Sequence, residues 1–270
     1  MKNQILKSKK LYPNAKLNIY LEIIGQRDDG YHLLETIMVP ISLYDEIDMT
    51  IYDKGDIIVN TLNIDIPQEE NIIYKVLMKA KKHFNLEFGV DITVNKKIPA
   101  GAGLGGGSSD GAFVLNFLNE VLNFATTQEL IEFSATIGAD IPFFLVNKPA
   151  FCEGIGDKIT LIDIDKKPLY LFTPKYHVNT AKIFQKRKEF ISNNQLFGPS
   201  FKNEKKYIYK YLKENNLLFF NRLSESVKAI EPKLFDLVSK TSFLSLNLTG
   251  TGSCFYTDIE NEDLIKVEIL

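Results

Sequence analysis

The chain has no tryptophan, two cysteines and three histidines in 270 residues, and each shortage removes a class of chemistry. Cys152 and Cys254 stand far apart, outside any CxxC or Cys/His cluster. They read as reduced core thiols of a protein from a reducing compartment. His32, His83 and His177 show no metal-ligand spacing, so no zinc site is expected. Charge of either sign is scarce in net terms: 32 basic against 34 acidic side chains leave −2. No bulk field draws nucleic acid or an anionic membrane, and neither is expected as a partner. No run approaches the roughly 18 to 20 apolar residues of a membrane helix. The opening MKNQILKSKKLYP has neither the apolar core nor the cleavage site of a secretory signal, so the expectation is a cytoplasmic protein. Repeats and low-complexity tracts are missing too, and the oligomeric state stays open between monomer and homodimer.

What the sequence does have is glycine, concentrated in one place. Residues 99–110 read PAGAGLGGGSSD, with five glycines in the seven residues 101–107. Val114, Phe117, Leu118 and Val121 then fall on one helical face, so the glycines are expected to end where a helix begins. Bare N–H groups in such a loop, backed by a helix N-terminus, suit a phosphate. A Walker A loop is excluded, because no lysine stands between Gly107 and Ser108. Gly101, Gly103 and Gly106 satisfy G-x-G-x-x-G, but the preceding residues 90–95 alternate apolar and polar. That is a strand with one wet face, not the buried parallel strand of a Rossmann unit.

Around this loop the pattern predicts strands at 16–24, 34–40, 45–52 and 56–60, and a helix from Asn71 with Ile73, Val76, Leu77 and Ala80 as its stripe. Thr126 and Glu129 have capping-box spacing ahead of a short helix. Further on come a strand at 151–156, a domain boundary near 157–161, a strand at 169–173 and a lysine-rich helical region over about 182–240. A strand, glycine turn and strand are expected over 244–256. Either the second domain is trimmed after that, or residues 264–270 supply its last strand. Asp140, set among Ile141, Pro142 and two phenylalanines, is equally readable as a desolvated general base and as an N-cap. Lys16 is a candidate fixed cation, or a solvated lysine at a strand edge.

Five pieces occur in one order over residues 13–256: Ala15-Lys16-Leu17-Asn18; Gly25-Gln26-Arg27 with Asp29-Gly30-Tyr31-His32; residues 99–109; GADIPFF at 138–144; and GTGSC at 250–254. Together they resemble the GHMP kinases, named for galactokinase, homoserine kinase, mevalonate kinase and phosphomevalonate kinase. The GYH and GADIPFF pieces resemble the branch that phosphorylates a cytidine diphosphate methylerythritol on the non-mevalonate route to isoprenoid precursors. The resemblance implies an α+β, two-lobed GHMP kinase fold. Its N-terminal lobe, residues 1–157, would have ribosomal-protein-S5-like βαβ topology, and residues 158–270 would form a smaller ferredoxin-like lobe. It implies ATP and Mg²⁺, and a catalytic pair of Lys16 and Asp140 in which Asp140 takes the hydroxyl proton. Pro99, Ala100, Gly101, Ala102, Gly103, Leu104, Gly105, Gly106, Gly107, Ser108 and Ser109 would hold ATP, with Asn71 and Lys96 on the adenine side. The Ser108 or Ser109 hydroxyl would be available to the metal. Asn18, Tyr31, His32, Thr180 and Phe184 would bind the substrate, Tyr31 and Phe184 sandwiching its cytosine ring, while residues 250–253 brace the loop. The alternatives are a GHMP kinase acting on another alcohol, a nicotinamide-dependent oxidoreductase and a non-catalytic nucleotide-binding protein.

Overall fold

The structure, a computed structural model, describes residues 3–28, 30–192, 207–243 and 245–270. Asp29 of the GYH motif, residues 193–206 of the lysine-rich region and Leu244 at the head of an expected strand lie outside the described residues. In chain order the elements are β1 (Ile5–Leu11), β2 (Asn14–Gln26), β3 (His32–Tyr44), β4 (Glu46–Tyr52), β5 (Ile57–Thr61), α1 (Ile72–His83), β6 (Gly89–Asn95), α2 (Gly106–Leu122), α3 (Thr127–Ala135), α4 (Ile141–Val146), β7 (Ala150–Gly154), β8 (Lys158–Leu161), β9 (Pro168–Phe172), α5 (Thr180–Ser192), α6 (Ile208–Glu214), β10 (Phe220–Asn221), α7 (Ser224–Ile230), α8 (Pro232–Ser239), β11 (Asn247–Leu248), β12 (Phe255–Thr257) and β13 (Ile265–Glu268). They form two compact units, one of residues 1–15, 43–98 and 105–147, the other of residues 16–42, 99–104 and 148–270.

In the first unit a sheet of order β1-β4-β6-β5 carries the core. Alternation sends Ile47, Met49 and Ile51 of β4 and Val90, Ile92 and Val94 of β6 inward, where Ile73 and Leu77 of α1 and Val114, Phe117 and Leu118 of α2 meet them. Asp91, Thr93 and Asn95 stay on the wetter side, so the strand before the glycines does have one wet face. The parallel pair β5 and β6 is joined through α1, a βαβ unit of the expected kind. Asn71 caps α1, its Oδ1 accepting from Ile73 N at 2.9 Å, and Thr126 and Glu129 close a reciprocal capping box on α3.

One boundary differs from expectation. Helix α2 begins at Gly106, not after the glycines, and its N-cap is Gly105 in the left-handed region at φ 72°. First-turn amides need no intrahelical carbonyl, so a helix can begin on glycine and present N–H groups uncrowded by Cβ atoms.

In the second unit the sheets run β10-β2-β3-β7-β8 and β11-β12-β9-β13. Residues 157–161 hold β8, which pairs antiparallel with β7. The helical stretch of 182–240 is broken by β10, which lies parallel to β2. β13 pairs with β9, so of the two alternatives for residues 264–270 the strand is the one observed. Alternation in β2 suggested a packed face of Leu17, Ile19, Leu21 and Ile23; here Asn18, Tyr20 and Glu22 are buried as well. The Asn18 and Glu22 side chains are satisfied internally, Asn18 by Lys16 and Thr36 and Glu22 by Arg222 at 2.7 and 2.8 Å. Lys16 is thus only 3% exposed, which removes the solvated-edge reading. Among the described residues no helix is long and apolar enough to cross a membrane.

Candidate active site

In the second unit β2 organises the site. Residues i and i+2 of a strand share a face, which brings Lys16 and Asn18 together: Lys16 Nζ donates to Asn18 Oδ1 at 2.5 Å. Asn18 Nδ2 donates to Thr36 Oγ1 at 2.8 Å, its backbone N–H to Thr249 Oγ1 at 2.9 Å, and its carbonyl accepts from Tyr256 Oη at 3.1 Å. The amide is therefore fixed and aims the ammonium. Residues 99–104 lie between this strand and the turn at 250–253. Lys16 N–H donates to Leu104 O at 3.0 Å and Cys254 N–H to Ala102 O at 3.1 Å. Gly103, at φ 75°, is pressed so closely on the turn that a Cβ there would overlap the Thr249 carbonyl oxygen. The turn thus braces the loop as expected. Burial pushes the Cys254 thiol well above its ordinary value, against the pull of Lys16, so beside Lys16 it stays protonated.

The same unit gathers most of the expected substrate residues. The His32 and Phe184 rings lie 5.3 Å apart with their planes tilted by 37°. Burial, then the positive charges of Arg187 and Lys188, hold the imidazole below its ordinary value. It is neutral at pH 7, one nitrogen donating and the other accepting. Its Nε2 is buried without a hydrogen-bond partner. Tyr31 is 61% exposed. Thr180 Oγ1 lies 2.9 Å from Thr251 Oγ1, linking α5 to the glycine turn.

In the first unit the glycines become a helix start. Ser109 is fully buried and its hydroxyl has no partner, whereas Ser108 is half-buried. A Cβ on Gly138 would sit 3.9 Å from Ser108 Oγ, so the turn that leads to Asp140 adjoins the head of α2. Asp140 stands at the N-cap position of α4 but makes no side-chain capping bond. That weighs against the capping alternative. Asn71 is committed to capping α1 and, through Nδ2, to Thr61 Oγ1 at 3.2 Å. Lys96 is held by two carboxylates, Asp45 and, at 2.6 Å, Asp110. Burial alone would lower its ammonium; Asp110 and Asp45 more than offset that and raise it. Among the described residues no three His, Cys, Asp or Glu side chains group to hold a metal. The orphaned Ser109 hydroxyl is the kind of hard oxygen that a magnesium ion takes alongside phosphate oxygens.

Sequence reasoning missed Asp45, Thr249 and the role of Asp110. Asp110 stood in view at the end of the loop motif, and Thr249 beside a glycine turn. Asp45 had no signal, its partner Lys96 being 51 residues away.

Comparison with known proteins gives consistent results. The family described as "GHMP kinases N terminal domain" matches residues 71–148. The chain is similar to 4-diphosphocytidyl-2-C-methyl-D-erythritol kinase of Neisseria meningitidis serogroup C, 38% identical over 92% of this chain and 85% of that protein. It is also similar to the protein of that name from Clostridium tetani, 39% identical over 82% and 77%. A crystal structure of a 4-(cytidine 5'-diphospho)-2C-methyl-D-erythritol kinase superposes with TM-score 0.74 at 28% identity, covering 94% of this chain and 91% of that one.

Proposed function

Because the chain belongs to the 4-diphosphocytidyl-2-C-methyl-D-erythritol kinases of the GHMP family, we propose that it transfers the γ-phosphoryl group of ATP to the 2-hydroxyl of that diphosphocytidyl alcohol. The observation that carries the reading is the setting of Lys16, whose ammonium is aimed by Asn18 while its own backbone N–H holds the glycine loop. One residue thereby ties the charge to the phosphate cradle. On this reading small molecules are the partners and the enzyme works in the cytoplasm, with residues 1–157 and 158–270 as its family domains.

Phosphoryl transfer asks mainly for positioning and charge stabilisation. Residues 99–109 wrap the phosphates with backbone N–H groups, and the head of α2 adds its partial positive charge. Asp140 accepts the proton of the 2-hydroxyl as its oxygen bonds to the γ-phosphorus. The bond to the β–γ bridging oxygen breaks and ADP leaves. Lys16 orients the Asp140 carboxylate and the nucleophile. The Ser108 or Ser109 hydroxyl would hold magnesium together with ATP, and the ion would supply neutralisation of phosphate charge. Asn18 and His32 meet the substrate's polar groups, neutral His32 offering both a donor and an acceptor. Tyr31 and Phe184 flank the cytosine, and Thr180 lies beside them. Asn71 and Lys96 belong to the ATP side.

The test is ATP consumption by the purified protein with 4-diphosphocytidyl-2-C-methyl-D-erythritol, beside mevalonate, homoserine and galactose. Turnover with the diphosphocytidyl compound alone is the expected result. Turnover with another of these alcohols instead would overturn the assignment.

A further inference from the structure

Asp45 sits in the link between β3 and β4, fully buried, and no part of the phosphoryl-transfer scheme uses it. Its Oδ1 accepts from the backbone N–H groups of Lys97 at 2.5 Å and Ile98 at 2.8 Å, and its Oδ2 from the ammonium of Lys96. One carboxylate therefore binds three consecutive residues, the last three before the glycine loop. Its own backbone is pinned in turn, Asp45 N–H donating to Pro13 O at 2.9 Å.

The other side of the arrangement is the helix that follows the loop. Lys96 also bonds Asp110 Oδ2 of α2 at 2.6 Å, and a Cβ built on Gly106, the first residue of α2, would lie 3.4 Å from Asp45 Oδ2. The carboxylate of Asp45 thus touches the chain where it enters the loop and where it leaves. Backbone bonds to a carboxylate and a buried ion pair are the strong members of the hydrogen-bond class, and they fix direction as well as distance. Tethering both ends lowers the freedom that the loop surrenders when it closes on a ligand.

We infer that Asp45 is a positioning residue for the phosphate loop: through Lys96, Lys97, Ile98 and Asp110 it sets the path of the loop's two ends and so the aim of its N–H groups. The inference rests on the ATP reading of the loop. It also gives Lys96 its place on the nucleotide side, as a tether between strand end and helix.

The experiment measures ATP binding by calorimetry, and KM and kcat for each substrate, in the wild type, Asp45→Asn and Asp110→Asn. Asp45→Asn keeps an acceptor for the two backbone N–H groups but turns an amide toward Lys96. Losing a charge-assisted bond of this kind should weaken ATP binding about tenfold or more. The KM for ATP should follow, while kcat and the KM for the alcohol stay within about threefold. Asp110→Asn should shift ATP binding in the same direction by a smaller factor, and it serves as the deciding variant if Asp45→Asn does not melt cooperatively. A folded Asp45→Asn protein with wild-type ATP affinity overturns the inference. So does a loss shared equally by both substrates, or, where Asp110→Asn decides, wild-type ATP affinity in that variant. Absence of ATP binding by the wild type itself overturns the ATP reading and the inference with it.

Discussion

Two buried lysines, one in each unit, do different work. Lys16, on β2, is bonded to the carboxamide of Asn18, which is itself held by Thr36 and so orients the ammonium. Lys96, at the end of β6, lies against the carboxylates of Asp45 and Asp110, which spend that charge on holding loop and helix together. Burial is common to both, so burial does not separate a lysine that acts on a ligand from one that fastens the scaffold. What each is built into does: Lys16 sits on a strand whose backbone holds the glycine loop, whereas Lys96 joins a strand end to a helix.

The largest effects should test this contrast directly. Asp140→Asn should lower kcat by roughly 10²–10⁴ with ATP binding retained, the usual worth of a general base. Lys16→Met should lower it by roughly 10²–10³, the scale of losing one preorganised charge donor. Lys96→Met should act the other way round. It leaves two buried carboxylates facing one another and should cost about 3–5 kcal/mol of stability, read from the denaturant midpoint. If Lys16→Met loses as much stability as Lys96→Met and keeps its kcat, the contrast is broken.

Smaller effects sharpen it. On the β2 side, Phe184→Leu should raise the KM for the diphosphocytidyl substrate about tenfold, since a lost aromatic contact is worth about 1 kcal/mol or more, and leave the KM for ATP unchanged. An equal shift in both would separate Phe184 from the cytosine. On the Lys96 side, burial and the charge of Asp45, against the pull of Lys96, push the Asp110 carboxyl up to about 7. The folded protein then keeps a proton that the unfolded chain has released. Stability from this group is present below the ordinary carboxylate range and is lost as pH climbs through about 7. Melting temperature between pH 5 and 8 should therefore fall more steeply with pH in the wild type than in Asp110→Asn, and parallel curves would contradict it. The smallest effect sets the scale: Thr126→Ala removes the capping box of α3 and should cost about 1 kcal/mol.

The local grammar of the fold was readable in advance, because helix stripes, caps and strand alternation are written within a few residues of each other. Asn71, Thr126 and Glu129 stand where their spacing put them. What the pattern misjudged depends on distant chain. Asn18, Tyr20 and Glu22 look like a wet face until distant chain covers them, Thr249 and Tyr256 bonding the Asn18 backbone and Arg222 the Glu22 carboxylate from two hundred residues on. The start of α2 was misplaced because glycine's low helix propensity is overridden in a first turn with no internal bonds to lose. Lys16 and Asp140 drew attention by their type and their apolar surroundings. The pairing of Lys96 with Asp45 could not, since neither residue's neighbours hint at the other.

The contact at Gly103 also bears on how such a loop can drift in sequence. The atom that a side chain there would strike is a main-chain carbonyl oxygen, that of Thr249, with the backbone of Gly252 close behind. A clash with a side chain can be relieved by a smaller partner elsewhere; a clash with backbone has no such compensating change, because every residue at position 249 carries the same oxygen. Loop and turn are therefore locked to one another at the level of the main chain, and the lineage has no neutral path away from glycine at 103 except by rebuilding both segments at once.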